Sequence, residues 1–267
     1  MKTMIFAAGL GTRLKPITDT LPKALVPIEG KPLIGYVMDK LMEAGMNEVV
    51  VNVHHFADKI EEWLAGQDMI VSSYPELAEG KMLVQVSDER HRLLETGGAV
   101  LHARRYLEGC GHFLIHNVDI FSNADLKWFS GQVKPESLAT LLVSERKTAR
   151  FLLFHPETMR LAGWLNTDQN DWHLADPSLR VEDCRALAFS GIHILSDKVF
   201  ELMDEYVKEK NLPIDEVNGT KFPIMSFYMW AAKRVPIYGV AADNLDFLDV
   251  GKIDTLEQAE QMIKMRK

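Results

Sequence analysis

Short runs that are apolar at nearly every position place the strongest constraint on how this chain can fold. "TMIFAA" (3–8), "EVVVNV" (48–53), "MLVQVS" (82–87) and "HFLIHNVD" (112–119) have no sustained polar face. Each is too short for a buried helix and is flanked by turn or helix signals, so each reads as a strand covered on both sides. Helical patterns lie between them: "LIGYVMDKLMEAG" (33–45), stopped by Gly45, then "DKIEEWLAG" (58–66) and "GGAVLHARRYLEG" (97–109). "MIVSSY" (69–74) reads as one more strand. This alternation predicts an α/β fold of Rossmann-like, three-layer type with a mainly parallel central sheet. Ligands of such sheets sit beyond the carboxyl ends of the strands. Gly9 and Asp119 both fall just past a strand end and are expected to share one crevice.

The second half is richer in β-structure. "SLATLLVSE" (137–145) reads as a strand, "RFLLFH" (150–155) with "RLAGWLN" (160–166) as a hairpin, and "ALAFSGIHILS" (186–196) as another strand. "KVFELMDEYVKEK" (198–210) and "FPIMSFYMWAAKR" (222–234) are helical, and a polar loop opens a closing helix at about Ile253. No repeat, low-complexity tract or long linker divides the chain, so residues 1–267 are expected to form one domain with halves 1–125 and 126–267.

The first strand runs into "AAGLGTRLKPITDTLPKALVPI" (7–28). Gly-x-Gly after a strand lets backbone N–H groups approach a phosphate without interference from Cβ. Two familiar phosphate loops are excluded. A dinucleotide fingerprint wants a third glycine where this chain has Leu14 and an acid after the next strand, which instead reads "VNVHH"; a P-loop wants Gly-Lys-Ser/Thr after Gly11. What remains is a glycine loop with two cations. Arg13 can grip phosphate oxygens bidentately, and Lys23 is a compact charge on a segment stiffened by Pro22 and Pro27. The alternative is that Arg13, Lys15 and Lys23 are solvated surface charges.

With a net charge of −8, the chain does not offer a surface for tracking nucleic-acid phosphates, so an anionic ligand must meet a local cationic cluster. Two cysteines make neither a disulfide framework nor a four-cysteine zinc site and fit a reducing, cytoplasmic setting. No stretch approaches the length of a membrane span, so no membrane partner is expected. His54 and His55 point to opposite faces, and the His112/His116 pair lacks a carboxylate of its own, so neither reads as a metal site. Met203, Met225, Met229 and Trp230 read as core or pocket wall.

Residues 6–34, "FAAGLGTRLKPITDTLPKALVPIEGKPLI", closely resemble the signature of the sugar-1-phosphate nucleotidyltransferases. The likeness continues through "LLETGGAV" (93–100), "FLIHNVD" (113–119), "FSGIHIL" (189–195) and "FLDVGKIDTLEQA" (247–259) and so spans the chain in order. It is nearest to compact members of the N-acetylmuramate-1-phosphate uridylyltransferase and mannose- or heptose-1-phosphate guanylyltransferase types. The resemblance implies transfer of a nucleoside monophosphate from UTP or GTP to a sugar 1-phosphate, with pyrophosphate released. It makes 1–125 the nucleotide half and 126–267 the sugar half. It also implies nucleotide contacts from Ala8, Gly9, Gly11, Thr12, Arg13, Glu95, Thr96 and Gly97, and sugar contacts from Asn117, Ser190 and Gly191. Arg13, Lys23, Asp119 and Asp249 become the catalytic set, the two aspartates holding Mg²⁺. The chemistry independently wants such a set, because phosphoryl transfer is mostly positioning and neutralisation of charge.

Three departures from the family pattern stand out. Val118 replaces a usual glycine before Asp119 and is expected to shift the local backbone; Lys252 replaces a common threonine; and Glu145-Arg146-Lys147 is followed by Thr148, so the family's Glu-Lys-Pro sugar clamp must be built differently. A nucleotide sensor without turnover and a nicotinamide-dependent oxidoreductase are the competing readings, the first resting on Val118 alone. The extra C-terminal repeat domain by which some relatives trimerise is not in this sequence, so a monomer or homodimer is expected.

Overall fold

The computed structural model describes residues 1–71, 81–215 and 219–266. Strands of the first half are β1 (Lys2–Phe6), β2 (Pro27–Ile28), β3 (Lys31–Pro32), β4 (Glu48–Val53), β5 (Ile70–Val71), β6 (Leu83–Asp88), β7 (His112–Asn117) and β8 (Ile120–Ser122). Its helices are α1 (Leu33–Glu43), α2 (Ala57–Ala65), α3 (Glu95–His102) and α4 (Arg104–Leu107). The chain continues through α5 (Leu126–Ser130), β9 (Ala139–Ser144), β10 (Arg150–Phe154), β11 (Leu161–Asn166), β12 (Asp171–Leu174) and β13 (Arg185–Ser196). It ends with α6 (Val199–Glu209), α7 (Ile224–Ala231), β14 (Ile237–Ala241), β15 (Phe247–Asp249) and α8 (Ile253–Arg266).

Strands β5-β6-β4-β1-β7 run parallel, as their apolar sequences require. Alternate residues of each strand feed opposite cores. Ile5, Val49, Val51 and Leu114 pack with α1, α2 and α8, while Met4, Val50, Phe113 and Ile115 pack with α3, α6 and α7. A strand apolar on both faces is stable only when both faces are covered, which is why helices flank the sheet on either side. The sheet then continues through antiparallel β13, from which β9 with β14 and the β10-β11-β12 meander branch. Among the described residues, eleven strands thus form one continuous sheet.

Helix α1 ends as expected. Gly45 adopts φ +73, its N–H reaches Met42 O at 2.9 Å, and Met46 N reaches Leu41 O at 2.8 Å, the paired bonds of a Schellman stop. The helix anticipated from Gly97 begins two residues earlier and breaks at Ala103 into α3 and α4. Strand β12, helix α5 and the short β8–β15 ribbon lie where no strand or helix is expected from sequence. Of "MIVSSY", Ile70–Val71 pairs with β6, and residues 72–74 lie outside the described ones.

Candidate active site

Parallel β1 and β7 are neighbours in register, Phe6 opposite Asn117, so the segments leaving the two strands emerge at the same place. After β1 the chain passes Ala7 and Ala8 into the glycine loop. Gly11 takes φ +63, and a Cβ there would stand 2.8 Å from Thr18 Cγ2 and 3.1 Å from Lys23 Cβ. Leu14 N and Thr18 Oγ1 both donate to Gly11 O at 2.8 Å, folding the loop back upon the Lys23 segment. Pro22, extended at ψ 145, then delivers Lys23 into a short 3₁₀ turn (Lys23–Leu25). The lysine side chain is only 10% exposed and is ion-paired to Asp119, itself 18% exposed. Burial to this degree excludes the surface-charge reading for Lys23. Lys15 does fit it, making an exposed 2.9 Å pair with Asp19.

The backbones at Asp119 and Asp249 come together although 130 positions separate them. The β8–β15 ribbon sets Asp249 opposite Ile120, and Val250 N donates to Asp119 O at 2.8 Å. Arg13 Nη2 lies 3.8 Å from Asp249 Oδ2. A Cβ on Gly251 would stand 2.6 Å from both Arg13 Nη2 and Asp249 Oδ1, so the glycine of the Asp-Val-Gly stretch makes room for that approach. Beside these residues opens a cavity of about 370 Å³, lined by Ala8, Gly9, Lys23, Asn52, Glu89, Glu95, Thr96, Asn117 and Asp119 among others. Arg13 and Asp249 do not line it. A larger cavity of about 550 Å³, bordered by Lys40, His116 and Lys127, includes none of Arg13, Lys23, Asp119 or Asp249. The smaller one thus borders the Lys23–Asp119 pair.

The sequence profile described as Nucleotidyl transferase matches residues 2–150, over half of the chain. The chain belongs to this family. Over 205 residues this nucleotidyltransferase is 34% identical to the N-acetylmuramate alpha-1-phosphate uridylyltransferase of Caulobacter vibrioides, a match covering 73% of this chain and 75% of that protein. A protein of the same name from Neisseria meningitidis serogroup B is 31% identical over 225 residues, covering 80% of this chain and 83% of its own length. A crystal structure of UDP-glucose pyrophosphorylase complexed with UDP-glucose superposes with a TM-score of 0.72, covering 100% of this chain and 99% of that one at 20% identity. That likeness shows a common fold.

Several anticipated contacts are placed differently by the nucleotidyltransferase structure. Gly97 is a packing residue rather than a ligand donor. Its N–H and that of Gly98 both bond Phe222 O, at 2.9 and 3.0 Å, and a Cβ on Gly97 would come within 2.4 Å of the Phe222 ring. A Cβ on Gly98 would stand 2.1 Å from Thr220 O, which is backbone and cannot swing aside. Gly98→Ala is accordingly expected to destabilise the protein by about 1–3 kcal/mol, read as a lower denaturant midpoint at unchanged m-value. Ser190 is fully buried and donates to Leu142 O at 2.7 Å, so its hydroxyl does not face a sugar. Gly191 at φ +71 does abut the crevice: a Cβ there would stand 2.8 Å from Asn117 Nδ2. Thr96 faces the cavity but its hydroxyl accepts from Ile224 N at 2.9 Å, and Glu95 lies 3.5 Å from Lys221. Thr12 is exposed and does not line the cavity.

Val118 lines the cavity; it keeps a negative φ, donates to Phe6 O at 3.2 Å and is 4% exposed, packed in the core cluster that also holds residues of α1. Lys252 is exposed, and its backbone and Thr255 cap α8. From the Glu-Arg-Lys stretch, Arg146 donates to Phe189 O at 2.9 Å and lies 4.0 Å over the Phe247 ring, which places a half-buried cation near Asp249. Burial pushes His116 down to about 4, and no cluster of three metal-binding side chains occurs among the described residues.

Two residues of the cavity wall escape the motif reading, Asn52 and Glu89. Asn52 is 3% and Glu89 4% exposed. An asparagine inside "EVVVNV" is the available signal, since a buried amide in an apolar strand must find partners. Desolvation pushes the Glu89 carboxyl up to about 7, partly offset by hydrogen bonds from Asn52 and Leu94.

Proposed function

We propose that the protein transfers UMP from UTP to a sugar 1-phosphate, releasing pyrophosphate, with N-acetylmuramate 1-phosphate as the favoured acceptor. The observation that carries this reading is the pairing of Lys23 with Asp119 at the cavity wall and of Arg13 with Asp249 next to it, the two joined through the β8–β15 ribbon. The uridylyltransferase names of the Caulobacter and Neisseria relatives supply the base and the sugar. Under this proposal residues 1–125 hold the nucleotide, and Asn117, Gly191 and the second half receive the sugar.

No side-chain nucleophile is required. The sugar's phosphate, with a second pKa of about 6, is largely ionised at neutral pH and attacks the α-phosphorus in line. As that P–O bond forms, the bond from the α-phosphorus to the bridging oxygen breaks and pyrophosphate leaves with its electrons. Arg13 and the amides of the glycine loop receive the β and γ phosphates. Lys23 offsets charge where attacking and attacked phosphates meet, and Glu95 and Thr96 border the nucleoside.

The two carboxylates fit a magnesium ion. Asp249 Oδ1 is shut off from solvent with no hydrogen-bond partner, while Asp119 is paired with a single lysine. Mg²⁺ is commonly held by one or two carboxylates plus substrate phosphates, and here it would neutralise triphosphate charge. The test is pyrophosphate release with Mg²⁺, each NTP in turn and a panel of sugar 1-phosphates. Release fastest with UTP and N-acetylmuramate 1-phosphate is expected; faster release with GTP or with a neutral hexose 1-phosphate overturns the stated specificity, and silence across the panel overturns the activity.

A further inference from the structure

The glycine loop follows β1 and the segment that opens α3 follows β6, and β4 lies between those strands. Asn52, on β4, pairs in register with Phe6 on one side and Ser87 on the other. Its side chain reaches both neighbours. Ala7 N donates to Asn52 Oδ1 at 2.8 Å, Asn52 Nδ2 donates to Glu89 Oε1 at 2.8 Å, and Leu94 N donates to Glu89 Oε2 at 3.3 Å. The direction of this chain is forced. Ala7 brings an N–H, so Asn52 must turn its oxygen there and its amide group toward Glu89, which is then left with two donors to accept. An ionised carboxyl, an acceptor only, suits both donors best, because a protonated one brings a donor hydrogen of its own and accepts more weakly.

We propose that Asn52 and Glu89 form a positioning relay, closed when Glu89 is a carboxylate, that locks the phosphate-binding loop to the segment bordering the nucleoside. The relay rests on the reading of the cavity as the nucleotide site. Protonating Glu89 removes its charge and weakens its bonds from both Asn52 and Leu94, so Asn52 is held less firmly against Ala7 and the two ligand-binding segments are tied together less tightly. They must then be ordered by the nucleotide itself, which weakens its binding.

The charges around Glu89 leave it poised for this. Asp88 raises its pKa but is paired with Arg90 at 2.6 Å. Lys23 and Asp119 share the cavity and are paired to each other; Glu95 is 3.5 Å from Lys221, and Arg92 3.6 Å from Asp215. His54 bonds the Glu89 carbonyl through Nδ1 at 2.7 Å rather than the carboxyl. With burial as the main cause, the carboxyl titrates at about 7 against an ordinary 4.5. An acid raised on folding makes the fold less stable when ionised, so this group's contribution to stability falls as pH rises from 4.5 to 7. Closing the relay therefore improves nucleotide binding while costing stability, a combination that a merely structural residue does not give.

The test compares wild type with Glu89→Gln, which keeps the shape but presents an amide to one of the two donors. Initial rates against UTP concentration are measured from pH 5.5 to 8.5 at saturating sugar 1-phosphate, with amide exchange at Ala7 and thermal midpoints alongside. For wild type, kcat/KM for UTP is expected to fall tenfold per pH unit below about 7, through KM, while Ala7 protection falls over the same range. Glu89→Gln should lose that limb, hold KM at least tenfold above wild type at pH 8 and melt higher than wild type there but not at pH 5.5. The limb near 6 from the sugar phosphate should persist in both. A variant with wild-type KM and limb, or a wild-type Ala7 amide equally protected at pH 8 and 5.5, overturns the relay. If no UTP–sugar pair turns over, the functional reading fails, and amide exchange with melting still judges the relay. Should the variant not fold, the wild-type exchange profile decides.

Discussion

Lys23→Met is expected to lower kcat/KM by about 10³-fold, because it removes a buried cation from the place where two phosphates must approach each other. Methionine preserves most of the stem's packing, so the loss should report charge rather than a cavity. Stability will also change, which the motif by itself does not foretell. Lys23 is one half of a largely buried pair, and deleting one partner leaves Asp119 uncompensated at a cost of about 3 kcal/mol. A double-mutant cycle separates the two effects. Adding Asp119→Asn to Lys23→Met removes the orphaned charge and should restore much of the denaturant midpoint while restoring none of the turnover. Pyrophosphate release within tenfold of wild type in Lys23→Met would exclude the lysine from the transition state, whatever the melting curves show.

That contrast illustrates what the chain discloses on reading and what it withholds. Strands β1, β4, β6 and β7 and the helices between them are legible because their patterning is local: each residue's face is set by its position in the run. The glycine loop and its lysine are legible because 17 residues (7–23) carry them in one stretch. The β8–β15 ribbon is not, since Ile120–Ser122 and Phe247–Asp249 are each too short to show a period and gain their structure only from each other. Yet this ribbon brings Asp249 next to the Asp119 backbone, so the proposed magnesium pair comes from motif resemblance and not from any periodicity. Gly97 and Ser190 fail as contacts for a related reason. Within a motif both look functional, and only tertiary packing reveals that Phe222 needs the first to lack a side chain and that Leu142 O takes the second's hydroxyl. Glu89 is hidden in the same way, its role resting on Asn52, 37 residues earlier.

Asp249→Asn should abolish most turnover, by about 10²–10³-fold, while leaving the protein as stable as wild type or more so. The sign comes from the two oxygens. Oδ1 is buried with no hydrogen-bond partner, Oδ2 lies 3.8 Å from Arg13 across a half-exposed gap where an ion pair contributes roughly 0–1 kcal/mol, and half-buried Arg146 acts on the carboxylate without a direct ion pair among the described residues. A carboxylate so placed is held in the fold at a loss unless a cation completes it, so neutralising it relieves an unpaired charge. Asp119→Asn should show the same loss of turnover with the opposite effect on stability, because it strands Lys23. Melting in the presence of Mg²⁺ and UTP gives the second readout. At about 100 times Kd a bound ligand stabilises by about 2.7 kcal/mol, and this gain should appear in wild type and vanish in Asp249→Asn. An Asp249→Asn protein that still releases pyrophosphate at the wild-type rate and still gains from Mg²⁺ with UTP would mean that the buried oxygen has some other purpose, and that Asp119 works without it.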